Sequence, residues 1–134
     1  MNVSTIEYLG KLRTTCIHLQ SGVSIITDAP TDNNGKGEAF SPTDLLATSL
    51  GCCMATIMGI IAERHLLDIK GTKLEITKKM EENPRRVGEI RVDLNFPKNN
   101  FSDANKLLLE NAAKTCPVAK SLHPDVKQVI KFNW

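Results

Sequence analysis

The sequence predicts an α+β fold carried by one domain over residues 1–134. Segments with period-two alternation lie on both sides of a single long apolar run of helical period, and the order is strands, helix, strands, helices, strand. The length suits one core better than two thin ones. A hydrophobic fraction of 41% with only 4% aromatic residues makes that core aliphatic and excludes disordered or collagen-like chains. Seventeen basic against fifteen acidic residues, a formal net charge of +2, is too balanced for backbone-driven nucleic-acid binding.

Taken in order, Asn2 to Thr27 reads as two or three short strands, broken near Leu9-Gly10 and again at Gln20-Ser21-Gly22, where glycine permits a turn. Asp28 to Ser41 is rich in turn formers and holds Asn34-Gly35, so it reads as a long exposed loop of the kind that often carries function. Ser41 is then a helix N-cap with Pro42 at the first helical position, and acidic Asp44 is expected one residue short of the ideal capping-box place. The helix is expected to run to about Leu67. Leu46, Leu50, Cys53, Ile57 and Ile60 make one stripe of it, Leu45, Met54, Met58 and Ile61 a neighbouring one, so Cys53 faces the core and little of the helix is wet.

Beyond Gly71, Leu74 and Ile76 alternate with Lys73, Glu75 and Thr77, and Ile90, Val92, Leu94 and Phe96 alternate with Glu89, Arg91, Asp93 and Asn95: two half-buried strands joined through Glu81-Glu82-Asn83-Pro84. Ser102 caps a helix to about Lys114 whose apolar side is read as Ala104, Leu107, Leu108 and Ala112. Cys116-Pro117-Val118 opens a short helical turn, and Val126 to Phe132 is a last strand.

From Leu45 to Ala62 no residue is charged, which is long enough to raise the question of a membrane span. Ala47, Thr48, Ser49, Gly51 and Thr56 dilute the apolarity, so a core helix and no membrane association is the expectation. Met1 to Gly10 shows no cationic segment followed by an apolar one, and the four cysteines, Cys16, Cys52, Cys53 and Cys116, do not form the dense pattern of a secreted disulfide scaffold. The expected compartment is the reducing cytoplasm.

Cys53 and Cys116 are the sharpest candidates for chemistry. A two-cysteine thiol peroxidase needs one thiolate to attack the O–O bond and a second thiol to condense with the resulting sulfenic acid, and here one thiol sits on a helix stripe and the other at a loop-to-helix junction. Packing as small hydrophobes stands beside that reading. Cys53 lies about 16 Å along the helix from Pro42, beyond reach of the helix dipole, and needs a cation to ionise. Cys116, as an N-cap before Pro117, is by local physics the more acidic thiol. Cys16, His18, His65 and His123 have no ligand spacing that recommends a metal, and Cys52, whose side chain diverges from that of Cys53, is read as packing. The basic residues Lys78, Lys79, Arg85, Arg86 and Arg91 read as a solvated face.

Ser41-Pro42-Thr43-Asp44-Leu45-Leu46-Ala47-Thr48-Ser49-Leu50-Gly51-Cys52-Cys53, followed by Cys116-Pro117-Val118-Ala119-Lys120-Ser121-Leu122, resembles the osmotically induced protein C and organic hydroperoxide resistance (OsmC/Ohr) family. The family pattern is a proline, a cysteine eleven residues on in a helix, and a second cysteine in a Cys-Pro segment; that spacing selects Cys53 over Cys52.

The resemblance implies an OsmC-like fold, with antiparallel sheets around a long buried central helix, in an intertwined homodimer. It implies a cofactor-free, thiol-dependent peroxidase of oxidative stress defence that reduces organic hydroperoxides, and hydrogen peroxide as a further candidate, to alcohols or water. Cys53 would be peroxidatic and Cys116 resolving, with the disulfide reset by a dithiol reductant such as a lipoyl protein. Active relatives pair an arginine with a glutamate that commonly follows the proline; here that place is Thr43, with Asp44 next. In one branch the arginine lies in the loop, where this chain has Lys36, and in another in the first hairpin, where Arg13 is the candidate counterpart with Glu38 and Asp44 as candidates to orient it; ordinary solvated charges are the alternative reading of all three. The missing carboxylate at Thr43 leaves a rival reading, a non-catalytic member that binds a small molecule or a thiol-bearing partner.

Overall fold

The computed structural model describes Met1–Trp134 throughout. It forms two compact units, Met1–Leu46 and Ala47–Trp134, with the long helix starting in the first and continuing through the second.

The first unit is a three-stranded antiparallel sheet in the order β1 (Ser4–Gly10), β2 (Arg13–His18), β3 (Ser24–Asp28). Gly10, Lys11 and Leu12 turn the first hairpin with positive φ, the backbone twist that tight hairpins require. Between β2 and β3 the register pairs Arg13 with Asp28, Cys16 with Ile25 and Ile17 with Ser24. Three short strands cannot bury two apolar faces, and Ile6, Tyr8, Ile17, Ile25 and Ile26 remain exposed. In the following loop Gly35 folds back so closely on Ala29 that a Cβ would lie 1.7 Å from the Ala29 carbonyl oxygen, so only glycine fits.

Helix α1 (Pro42–Arg64) opens with a complete capping box. The Ser41 hydroxyl accepts from the Asp44 amide at 3.0 Å and the Asp44 carboxylate accepts from the Ser41 amide at 3.0 Å. Asp44 is therefore in the capping-box place rather than one residue short of it. The helix also ends earlier than expected. Leu67 donates to the Ala62 carbonyl and Leu66 to that of Glu63, a Schellman closure in which Leu66 takes φ +56°. By length and apolarity α1 could cross a membrane.

The second unit contains the continuation of α1, strands β4 (Lys73–Glu81) and β5 (Arg86–Asn95), helices α2 (Asp103–Lys114) and α3 (Pro117–Ser121), and β6 (Lys127–Asn133). Its sheet has the order β4-β5-β6; β4 and β5 are antiparallel, whereas β6 lies parallel to β5. The core is Leu50, Met54, Met58, Ile90, Val92, Leu94, Leu109, Ala113 and Cys116 with smaller neighbours. The buried stripe of α1 is thus Ala47, Leu50, Met54, Met58 and Ala62, one position round from the expected one; Leu46 and Ile60 are exposed and Cys53 lies at the stripe's edge. In α2 the core side is Leu109 and Ala113, while Ala104 and Leu107 are exposed. Both helices offer apolar residues on more than one side, so periodicity leaves the rotation open and packing on the sheet decides it. Gly51 permits close packing on β4, since a Cβ there would lie 2.6 Å from Ile76 Cδ1. Trp134 stacks on Phe96 with ring centroids 3.8 Å apart, tying down the last strand.

Candidate functional site

Cys116 sits at the elbow between α2 and α3. Pro117 has no amide hydrogen to continue α2 and drives the residue before it to extended backbone, so α2 closes at Thr115 and α3 starts at Pro117. Cys116, at φ −64° and ψ 147°, becomes the N-cap of α3, and its Sγ accepts from the Ala119 amide at 3.3 Å. The thiol is completely buried.

Cys53, half-buried on α1, packs against the same core and interacts with the Cys116 thiol. The sequence pair is thereby brought together, as two free thiols. The low pKa that its N-cap place suggests for Cys116 is not what the buried thiol shows. Burial pushes its pKa up, the Ala119 amide pulls against this, and the neighbouring Cys53 pushes it up further. Capping by one amide does not offset complete desolvation, so the Cys116 thiol is held toward its protonated form. Turning Cys53 toward Cys116 rotates the adjacent side chain by about 100°. Cys52 is accordingly exposed, on the wall of a cavity of about 180 Å³ with Thr48, Gly51, Ala55, Leu74 and Ile76, rather than packed.

In the first unit Arg13 is held by two carboxylates. Its Nε and Nη2 donate to the two Asp28 oxygens at 2.7 and 2.8 Å, and Nη2 also donates to Glu38 at 2.9 Å. The Glu38 amide donates to Asp28 at 3.2 Å, joining strand and loop in one network. Asp28 is buried, and the Arg13 guanidinium holds its carboxyl below the usual range; the same bonds raise Arg13. Of the candidates to orient Arg13, Glu38 does so, whereas Asp44 uses its carboxylate to cap α1. Asp28, the bidentate partner, was missed by sequence reasoning. A hairpin centred on Gln20-Ser21 places residue 13 opposite residue 28, and that register was the signal that could have found it.

Comparison with known proteins follows the same lines. The family model for OsmC-like protein matches residues 35–131. A crystal structure of a Psychrobacter arcticus protein assigned to the osmotic stress induced and detoxification response is 53% identical, covers 99% of this chain and 96% of that one, and superposes with a TM-score of 0.95. The OsmC-like protein of Mycoplasma pneumoniae (19% identity, TM-score 0.79, 97% of this chain and 94% of that one) shares the fold. So does the organic hydroperoxide resistance protein OsmC of Legionella pneumophila (12% identity, TM-score 0.76, 100% and 98%). No curated protein sequence matches the chain.

Proposed function

The chain belongs to the OsmC-like family, and from that premise we propose that it is a cytoplasmic, cofactor-free peroxidase that reduces organic hydroperoxides with Cys53 and Cys116. The observation that carries the reading is that Cys53 packs against the core in which Cys116 is fully buried, with the two thiols interacting. The Cys53 thiolate attacks the terminal peroxide oxygen, the O–O bond breaks, and the alkoxide leaves and takes up a proton to become the alcohol. Cys53 is left as a sulfenic acid. The Cys116 sulfur then attacks the Cys53 sulfur, the S–O bond breaks, and hydroxide leaves as water. An external dithiol reduces the resulting disulfide, a lipoyl protein being the reductant the family suggests.

In this reading Arg13, oriented by Asp28 and Glu38, supplies the positive charge that favours the Cys53 thiolate and the leaving alkoxide. Asp44 sets the start of the helix that carries Cys53. The chain acts as one OsmC-like domain and pairs as a homodimer, which the exposed apolar residues of the β1–β3 sheet support.

The test is peroxide consumption from tert-butyl hydroperoxide with excess dithiol. Loss of turnover in Cys53→Ser and a trapped sulfenic acid in Cys116→Ser are expected. Turnover that survives Cys53→Ser refutes the roles, and an inert wild type with every dithiol tried leaves the binding reading in its place, which the threonine at position 43 favours.

A further inference from the structure

The inner face of β6 carries Ile130 and Phe132 against the core, and in the same row stands Gln128, opposite the fully buried Ile90. A half-buried amide in an apolar row needs a partner. Gln128 Nε2 donates to the Ala119 carbonyl at 3.0 Å. Helix α3 is too short to satisfy that carbonyl itself. Its Cys116 carbonyl accepts from Lys120, its Pro117 carbonyl from the Ser121 hydroxyl and its Val118 carbonyl from Leu122, after which the chain turns extended at Leu122. Ala119 is also the residue whose amide donates to the Cys116 sulfur at 3.3 Å. One residue is thus gripped from both sides, by the sheet through its carbonyl and by the buried thiol through its amide.

We propose that Gln128 is a positioning residue for disulfide closure: by tying Ala119 to β6 it keeps the Ala119 amide aimed at Cys116 and fixes that sulfur for its reaction with Cys53. The proposal rests on the reading of Cys53 and Cys116 as a reacting pair. In closure the Cys116 thiol must lose its proton as its sulfur attacks, and burial opposes the ionised form. The Ala119 amide is the donor placed to offset this, so a loosened α3 loses both the approach and part of the stabilisation of the attacking sulfur.

The test needs no peroxide. In the full chain carrying Cys16→Ser and Cys52→Ser, dithionitrobenzoate first forms a mixed disulfide at the more accessible Cys53, releasing one thionitrobenzoate. Cys116 then attacks the Cys53 sulfur and expels the second. Gln128→Leu is expected to slow the second release roughly tenfold, the scale of one lost hydrogen bond, and to leave the first unchanged. Gln128→Lys, which keeps an N–H donor, is expected to restore it, and a merely structural role would not give that split between phases. Should Gln128→Leu fail to fold, Gln128→Glu, which keeps the size but offers no donor at neutral pH, is read in the same way. A second release as fast in the donor-less variant as in the parent, or no second release in the parent, overturns the proposal. A parent that closes normally but consumes no hydroperoxide refutes the peroxidase reading and leaves the role of Gln128 standing.

Discussion

Closure of the Cys53–Cys116 disulfide is expected to accelerate with pH well past neutrality, and the perturbation that reveals it is pH itself. An unperturbed thiol has a pKa of about 8.5, so at pH 7 about 3% of it is thiolate. Cys116 is fully buried and interacts with Cys53, both of which raise it above the ordinary value, so its ionised fraction at pH 7 lies below that figure. Below the pKa the thiolate fraction grows tenfold per pH unit, and the rate of attack follows it. The closure rate should therefore climb close to tenfold per unit from pH 6.5 to about 8.5. It is measured by single-turnover release of the second thionitrobenzoate in the Cys16→Ser, Cys52→Ser background, with unfolding monitored at each pH. A plateau at or below pH 7.5 would refute the argument, because it would mean that the capping amide outweighs burial. The same linkage acts on stability. A raised thiol pKa contributes stability that is present below the unfolded value and is lost as pH rises from there through the folded value, so Cys116→Ala should flatten the alkaline fall in thermal midpoint.

The acid limb is set by Asp28, whose pKa is held down by Arg13; its contribution is present above the ordinary carboxylate value of 3.8 and disappears as pH falls through the folded value. Asp28→Asn should be less stable than wild type at pH 7, with the gap in thermal midpoint shrinking below pH 4; a gap that does not change with pH would show that the ion pair is not its origin. Leu66 is 94% exposed in a left-handed conformation, so Leu66→Gly should add about 0.5–1 kcal/mol in urea unfolding. A loss instead would mean that a partner covers the side chain. At Gly51, alanine should be near neutral: about 1 kcal/mol of helix propensity offsets displacement of the Ile76 Cδ1 methyl, which has the neighbouring cavity to move into. Gly51→Val, with two more methyl groups at that contact, should cost about 1–3 kcal/mol by urea unfolding.

Sequence alone determined the kinds and order of the elements, because the information for these is local. Pro42 and Ser41 mark the start of α1, period two marks β4 and β5, and Pro117 after Cys116 forces the break between α2 and α3 wherever that segment lies. It also singled out Cys53 over Cys52 by spacing and Arg13 by likeness to a family. Tertiary structure decided the rest, since the deciding terms come from residues distant in the chain. The rotation of α1 and α2, the parallel placement of β6 and the pairing of Arg13 with Asp28 all depend on what each element packs or pairs with. The raised pKa of the Cys116 thiol has the same origin. An N-cap is a local property readable beside Pro117, whereas the desolvation of Cys116 comes from its place in the buried core, a cost that exists only once that core is assembled.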